Sequence, residues 1–86
     1  MTLSVLDGKT ILITGGTGSF GQAAVAELVK TSWARKIIVL SRDEYKQWEM
    51  IRLYAKDDRV RFYLGDVRDA RRVSLAFHGV DFVIHA

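Results

Sequence analysis

Gly15, Gly18 and Gly21 are three of the four glycines in the short segment TGGTGSFG. The segment follows the apolar run Ile11 to Ile13 and precedes a helix-like stretch from Gln22 to Ser32. Where a strand turns into a helix, glycines let backbone amides approach a pyrophosphate, and the positive helix end stabilises the anion. We expect Gly15 to make the tight turn, Gly18 to allow close approach and Gly21 to let the helix pack. The spacing predicts a dinucleotide-binding turn, and the alternative is a loop that merely needs glycine.

The residues after the second apolar run, Lys36 to Leu40, bear on the choice of dinucleotide. A NAD site of this kind has an acid there, about 20 residues after the glycines, that holds the ribose hydroxyls. This chain has Ser41 and Arg42 instead, and a guanidinium offers paired donors and a permanent charge to a 2′-phosphate. Lys46 adds a second cation, whereas the Asp43 carboxylate is able to turn toward a ribose. The pattern favours NADP over NAD, and a solvated helix start is the alternative for both cations.

Asp66 and Val67 follow the third apolar run, beside the expected ligand crevice. Asp66 is able to accept the adenine amino hydrogen, and Val67 presents backbone groups and an apolar edge to the base. The alternative for Asp66 is to cap the helix that follows, and the two roles are compatible. We assign no role to His85.

Strand-like and helix-like patterns alternate around these residues. The first helix shows one broad apolar face through Phe20, Ala24 and Leu28, with Val25 and Val29 beside them. A short third helix is expected between Asp66 and Gly79. This alternation predicts an α/β fold, the first half of a Rossmann fold, with a four-stranded parallel sheet in the order 3-2-1-4 and about three helices. The predicted strands are Thr10–Thr14, Lys36–Leu40, Arg61–Leu64 and Asp81–His85.

The second helix begins after the Ser41–Glu44 pair, which has the spacing of a capping box. We expect Ser41 to accept from the Glu44 amide and the helix to extend to about Ala55. Tyr45, Trp48 and Ile51 or Arg52 are expected at its inner and boundary positions.

Size and composition limit the possible functions. The chain has 86 residues, of which 49% are hydrophobic and 27% charged, as in an ordinary globular domain. It has no cysteine and only two histidines, so we expect no disulfide and no metal site. The net charge of +3 raises the question of nucleic acid, but five arginines between 59 and 72 alternate with four aspartates between 57 and 69. We read a solvated, salt-bridged surface and expect neither nucleic-acid nor membrane binding, with the cytoplasm as the default location.

Several motifs together resemble a known family. They are ILITGGTGSFG at 11–21, IIVLSRDE at 37–44, GDVRD at 65–69 and GVDFVIHA at 79–86. This combination resembles the N-terminal part of the extended short-chain dehydrogenases, and more narrowly the inverting UDP-N-acetylglucosamine 4,6-dehydratases of surface-glycan biosynthesis.

The resemblance implies an enzyme that holds NADP(H) tightly, oxidises a nucleotide sugar at carbon 4, eliminates water across carbons 5 and 6 and returns the hydride at carbon 6. The family's catalytic Tyr-x-x-x-Lys pair is absent from these residues, because Tyr45, Tyr54 and Tyr63 are followed by no lysine four positions later. The resemblance therefore carries over cofactor contacts and no catalytic residue. These contacts are Gly15, Thr17, Gly18, Ser19, Phe20, Gly21, Ser41, Arg42, Asp43, Lys46, Asp66 and Val67.

Three functional readings follow for residues 1–86 as a partial NAD(P)-binding domain without a substrate domain. The first is the cofactor-binding portion of a dehydratase, whose nucleotide-sugar substrate would bind only in a full-length parent. The second is a free-standing NADP-binding or sensing module, and the third is a scaffold or interaction fragment. We also expect self-association, through the fourth strand near Phe82–Ile84 or through the less covered face of the sheet.

Overall fold

The computed structural model describes residues 4–66, 68–69 and 78–85 of the chain. The third helix that the sequence predicts between Asp66 and Gly79 therefore falls largely outside the described residues. The elements, in chain order, are a 3-10 helix at Ser4–Leu6, β1 at Thr10–Thr14, α1 at Ser19–Thr31, β2 at Lys36–Ser41, α2 at Glu44–Leu53, β3 at Val60–Leu64 and β4 at Phe82–His85.

The four strands form one parallel sheet in the order β3-β2-β1-β4. Leu12 in the middle of β1 lies opposite Ile38 of β2 and Val83 of β4. All five residues of β1 are buried, as expected for a central parallel strand covered on both faces. The predicted strand order and the first half of a Rossmann fold are confirmed.

The core has two parts, one on each face of the sheet. Leu12, Ile38 and Leu40 form the smaller cluster, with Val80 packed against it. The larger cluster joins side chains of both helices to one sheet face, so α1 and α2 cover the same side as expected. Its buried members are Ile11, Ile13, Val25, Leu28, Ala34, Ile37, Val39, Met50 and Val60.

The buried side of α1 is the predicted apolar face except at Phe20, since Ala24 and Val29 also pack against the core. Gly21, Val25 and Leu28 are its buried residues, whereas Phe20 is 63% exposed. One residue is a rotation of about 100° around a helix, so a frame that begins at Gly21 turns Phe20 away from the sheet. The expectation that Phe20 packs on this face was wrong.

The start of α2 also differs from the sequence expectation. Asp43 is the N-cap, and its Oδ1 accepts a hydrogen bond from the Lys46 amide at 3.0 Å. Ser41 remains in β2 and is buried, where its hydroxyl oxygen lies 3.4 Å from the donating Gln47 Nε2. The predicted Ser41–Glu44 capping box was wrong because the strand continues one residue further than its apolar run.

The inner face of α2 consists of Gln47 and Met50, whereas Tyr45 and Trp48 are 68% and 52% exposed. The predicted inner positions were therefore wrong. Gln47 is buried because its side-chain amide donates to the Tyr63 carbonyl at 2.9 Å and so fastens α2 to the edge strand β3. Tyr45 is two residues before Gln47, and Trp48 is two residues before Met50. Two residues correspond to a rotation of about 200° around a helix, so both aromatic side chains face away from the sheet.

Arg59 joins the end of α1 to the loop that enters β3. Its guanidinium donates to the carbonyls of Ser32 and Val29, each at 3.0 Å, and to the Asp57 carboxylate at 3.2 Å. Hydrogen bonding from the Arg59 side chain is the main cause that lowers the pKa of Asp57 below its ordinary value. A cation at a helix C-terminus is also favoured by the helix dipole.

Candidate functional site

The glycine turn is held against the end of β2. Gly15 has a φ of +67°, in the left-handed region that favours glycine, and its amide donates to the Leu40 carbonyl at 2.9 Å. The Gly18 amide donates back to the Gly15 carbonyl at 3.2 Å. The predicted tight turn at Gly15 is confirmed, and it stands at the carboxyl end of the central strand.

Gly16, for which the sequence pattern predicted no role, packs closely against β2. A β-carbon on Gly16 would lie 2.5 Å from Cγ1 of Val39, and one on Gly21 would lie 2.5 Å from Cα of Gly16. Gly21 therefore packs α1 against the turn, and Gly16 packs the turn against β2. The glycine pair in the motif was the available signal, although the motif assigns the close contacts to other positions.

The first turn of α1 has no competing anion of its own within the described residues. Gly18 is the N-cap in extended conformation without a side-chain capping bond, and the first turn contains no acid. The amides of Ser19, Phe20 and Gly21 are the donors that such a helix start leaves without an intrahelical acceptor. Thr17 is buried beneath them, and its carbonyl accepts from Gln22 Nε2 at 2.7 Å. Together with the helix dipole, these donors favour an anion at this point.

A cavity of about 340 Å³ opens beside the turn, at the carboxyl ends of β1, β2 and β3. It brings together four of the predicted site residues, Gly15, Ser41, Arg42 and Asp66, which is the placement expected of a ligand crevice in an open parallel sheet. A larger recess, about 590 Å³, lies along α2 and the end of β3, and no residue of the glycine turn lines it. The lining of the smaller cavity is Gly15, Leu40, Ser41, Arg42, Gly65, Asp66, Arg68 and His85.

Two guanidinium groups share one carboxylate at the mouth of this cavity. Asp66 Oδ2 lies 2.8 Å from Arg68 Nη2 and 3.4 Å from Arg42 Nη1. Hydrogen bonds from the Arg68 side chain and backbone, and secondarily the charges of both arginines, hold the pKa of Asp66 far below its ordinary value. The cluster carries two positive charges and one negative charge, so it retains an excess positive charge for an anionic ligand. Arg68 was missed as a site residue because only the fold brings it to Arg42.

Asp66 also makes local hydrogen bonds, although the helix that it was expected to cap lies outside the described residues. Its Oδ1 accepts from the Arg68 amide at 2.9 Å, and the Asp69 amide donates to the Asp66 carbonyl at 2.8 Å. Asp66 thus orders the chain just after β3 while it binds both guanidiniums. Val67, the predicted neighbour of the base, lies outside the described residues.

Other predicted contacts do not line the cavity. Asp43 is occupied as the N-cap of α2, and Lys46 follows on the exposed first turn of that helix. Ser19 and Phe20 are exposed at the start of α1. The cation beside Arg42 at the cavity is consequently Arg68, whereas Lys46 stands outside the lining.

His85 is a further cavity residue to which the sequence analysis gave no role. Its Nδ1 is hydrogen-bonded to the Thr14 hydroxyl at 2.5 Å, across the pair β1 and β4. The bond joins the last residues of two adjacent strands at the carboxyl end of the sheet.

The described part of the chain contains no group of three or more acidic, histidine or cysteine side chains placed to hold a metal ion. Neither α1 nor α2, the α-helices within it, has the length and apolar character needed to cross a lipid bilayer.

The parallel sheet and its glycine turn define the N-terminal half of a Rossmann fold, and solved structures agree. Pen from Bacillus thuringiensis superposes with a TM-score of 0.87 at 30% identity, over 94% of this chain and 25% of that one. The dTDP-glucose 4,6-dehydratase of Bacillus anthracis, solved in complex with NAD, has a TM-score of 0.74 at 19% identity, over 90% of this chain and 26% of that one. The second likeness shows the fold alone.

Residues 11–86 match the family described as polysaccharide biosynthesis protein, and the chain belongs to that family. It is 50% identical over 82 residues to the inverting UDP-N-acetylglucosamine 4,6-dehydratase of Campylobacter jejuni, covering 95% of this chain. It is 46% identical over 81 residues to the UDP-glucose 4-epimerase of Rickettsia felis, covering 91% of this chain. The chain spans 24% of the length of each of these relatives. The resemblance seen in the motifs is confirmed.

Proposed function

We propose that this chain is the NADP(H)-binding portion of a nucleotide-sugar dehydratase that acts on UDP-N-acetylglucosamine. The observation that carries the proposal is the convergence of the Gly15 turn and Arg42 on one cavity at the carboxyl edge of the sheet. The family match and the 50% identity to an inverting 4,6-dehydratase supply the substrate class.

The residues present fit a dinucleotide in their chemistry. The Gly15–Gly21 turn leaves the α1 amides without a side-chain cap, and uncapped amides at a helix start suit a pyrophosphate. Arg42 supplies a charged fork for a 2′-phosphate, and Arg68 places a second guanidinium at the same carboxylate. Asp66 remains the acceptor for the adenine amino group. We keep Lys46 as an outer cation.

NADP is favoured over NAD because of the charges at the end of β2. Asp43, the first carboxylate after β2 in the sequence, already accepts the Lys46 amide as the N-cap of α2. A carboxylate used in this way is a poor partner for ribose hydroxyls, and the adjacent Arg42 would attract rather than repel a phosphate. The predicted preference thus depends on one capping bond and one exposed guanidinium.

When bound, the nicotinamide would supply the hydride acceptor and donor for chemistry at carbons 4 and 6 of the sugar. These 86 residues contain no Tyr-x-x-x-Lys pair for the accompanying proton transfers. The chain's own contribution is therefore to bind and orient the dinucleotide, with its pyrophosphate over the start of α1 and its adenosine end beside Arg42.

A second candidate is the corresponding portion of a nucleotide-sugar epimerase, which the 46% identity to UDP-glucose 4-epimerase favours. Cofactor binding does not separate the two, because the dinucleotide site would be the same. NMR of the product made by a longer protein containing this chain separates them. A 4-keto-6-deoxy sugar supports the dehydratase, and a sugar inverted only at carbon 4 supports the epimerase.

Calorimetric titration of the purified chain with NADP(H) and NAD(H) tests the proposal itself. We expect saturable binding with NADP(H) tighter than NAD(H). Binding of NADP(H) by a chain that is never part of a longer enzyme would favour the free-standing module. Failure of a folded chain to bind either dinucleotide would overturn the proposal and favour the scaffold reading.

A further inference from the structure

The outer face of α2 is an aromatic and aliphatic surface whose residues belong to neither core cluster of the described part of the chain. Tyr45, Trp48 and Ile51 are 68%, 52% and 42% exposed, although the residues between them, Gln47 and Met50, are buried. Contiguous exposed apolar side chains of this size mark interaction sites on soluble proteins. The cofactor site proposed above does not use these three side chains, because none of them lines the cavity beside the glycine turn.

The surface is ordered by contacts among its own side chains. The Arg52 guanidinium carbon lies 5.0 Å from the centre of the Trp48 ring, and the Tyr45 and Trp48 ring centroids are 6.3 Å apart. A recess of about 590 Å³ runs beside these rings. Its lining is Glu44, Tyr45, Gln47, Trp48, Ile51 and Leu64. An aromatic side chain placed in this way loses little freedom on binding, as is typical of an interface anchor.

The sequence of this face is complementary to itself. Trp48 is its midpoint, with Glu44 four residues before it and Arg52 four residues after it. Tyr45 and Ile51 lie three residues to either side. In an antiparallel pair with a twofold axis at Trp48, the Glu44 of each copy faces the Arg52 of the other, and each Tyr45 faces an Ile51. Twofold contacts require this kind of self-complementary patch, and antiparallel helices also oppose their dipoles favourably.

We propose that two copies of this chain associate through the outer faces of α2, antiparallel and about a twofold axis at Trp48. The helix has ten residues and is therefore about 15 Å long. Two such helices bury less surface than a standard stable interface, which buries about 1,200–2,000 Å². We therefore expect a reversible dimer that is populated at high micromolar concentration. The proposal does not depend on the cofactor assignment.

The competing surface is the open edge of the sheet at β4, where Phe82 and Val83 are 41% and 46% exposed. That edge offers backbone groups for strand pairing but no pair of opposite charges related by symmetry. The α2 surface has both the apolar anchor and the complementary charges, so we favour it over the edge expected from the sequence.

Sedimentation velocity of the 86-residue chain over a concentration series tests the proposal, with two variants that each replace one exposed tryptophan. Trp48→Glu should weaken dimerisation about tenfold or more, as for a central interface anchor. Trp33→Glu is the matched control, because Trp33 is 80% exposed and lies outside α2, and it should leave dimerisation unchanged.

A charge-reversal cycle gives an independent readout that does not remove the tryptophan. Glu44→Arg and Arg52→Glu should each weaken the dimer, because each places like charges opposite one another across the axis. The double variant should restore the dimer, because each pair across the axis again joins a positive and a negative side chain. Thermal melts by circular dichroism show that each variant folds, and if Trp48→Glu does not fold the charge cycle decides. A wild-type chain that stays monomeric, a dimer that survives Trp48→Glu but is lost in Val83→Lys, or equal effects at Trp33 and Trp48 would each overturn the proposal.

Discussion

Gly21 lies so close to Gly16 that a β-carbon on Gly21 would stand 2.5 Å from the Gly16 α-carbon. Helix α1 therefore touches the turn backbone to backbone, and neither partner is a flexible side chain that could move aside. This contact sets the start of α1 directly above the carboxyl end of β1. The position of the amides that would meet a pyrophosphate is consequently fixed by two glycines.

Replacing Gly21 by alanine should destabilise the fold by about 1–3 kcal/mol, because the added methyl group meets main-chain atoms. Gly18→Ala is the matched control, since its β-carbon would have only an ordinary contact of 3.5 Å with the Gly15 carbonyl oxygen. Urea unfolding of both variants measures the difference. Equal stability of the two would contradict the packing account.

Gly18→Ala should nevertheless weaken binding of both NADP and NAD, because the close approach expected at Gly18 concerns the pyrophosphate that they share. The fold of this variant should be intact by circular dichroism. Titration with each dinucleotide is the measurement. Unchanged affinity for both would mean that the pyrophosphate does not approach this position.

The sheet was predictable because its strands are short apolar runs that parallel pairing buries on both faces. The buried faces of the helices were less predictable, because they depend on contacts that side chains make with other elements of the fold. Gln47 points inward because its side-chain amide donates to the carbonyl of Tyr63, and the apolar periodicity of the sequence does not predict such a bond. Likewise, Asp43 rather than Ser41 caps α2, because the extra strand residue is set by pairing with β3.

The candidate site was predictable where a local motif carries it and unpredictable where the fold assembles it. Gly15 and Arg42 follow strands directly, so their meeting at one sheet edge follows from the topology. Arg68 was missed because its contact with Arg42 runs through Asp66, which is 24 residues from Arg42. Gly16 was missed because its role depends on the Val39 side chain of the neighbouring strand.

The ion pair of Asp57 and Arg59 should make stability depend on acid pH. The pKa of Asp57 in the folded chain is lowered from its ordinary value of 3.8, so the stabilisation is complete above that value and is lost as the pH falls toward the folded pKa. We expect Asp57→Asn to cost about 1 kcal/mol at pH 7 and progressively less below pH 3.8.

Urea unfolding at a series of pH values measures this dependence, with Asp58→Asn at the neighbouring exposed carboxylate as the control. The wild-type advantage over Asp57→Asn should shrink only on the acid side. An advantage that is constant from pH 7 to pH 2.5, or equally large over Asp58→Asn, would contradict the role given to the pair.

The 86-residue chain alone should not convert nucleotide sugar. Its sequence contains no Tyr-x-x-x-Lys pair, and positioning of both reactants supplies much of an enzyme's rate. NMR of UDP-N-acetylglucosamine incubated with the chain and NADP is the assay, with a mock preparation as control. A 4-keto-6-deoxy product formed faster than in the mock would contradict the expectation.

Arg42 carries the central claim, because it follows β2, lines the cavity and is the residue that we propose to bind a 2′-phosphate. The most direct measurement is the ratio of NADP to NAD affinity, by calorimetry, in the wild-type chain, Arg42→Ala and Lys46→Ala. A charge-assisted contact of this kind is worth about 1.5–3 kcal/mol, or roughly ten- to a hundredfold in affinity. We predict that Arg42→Ala abolishes most of the preference for NADP and that Lys46→Ala, which lies outside the cavity lining, lowers it less. Equal affinities for the two dinucleotides in the wild-type chain, or an unchanged ratio in Arg42→Ala, would contradict the account.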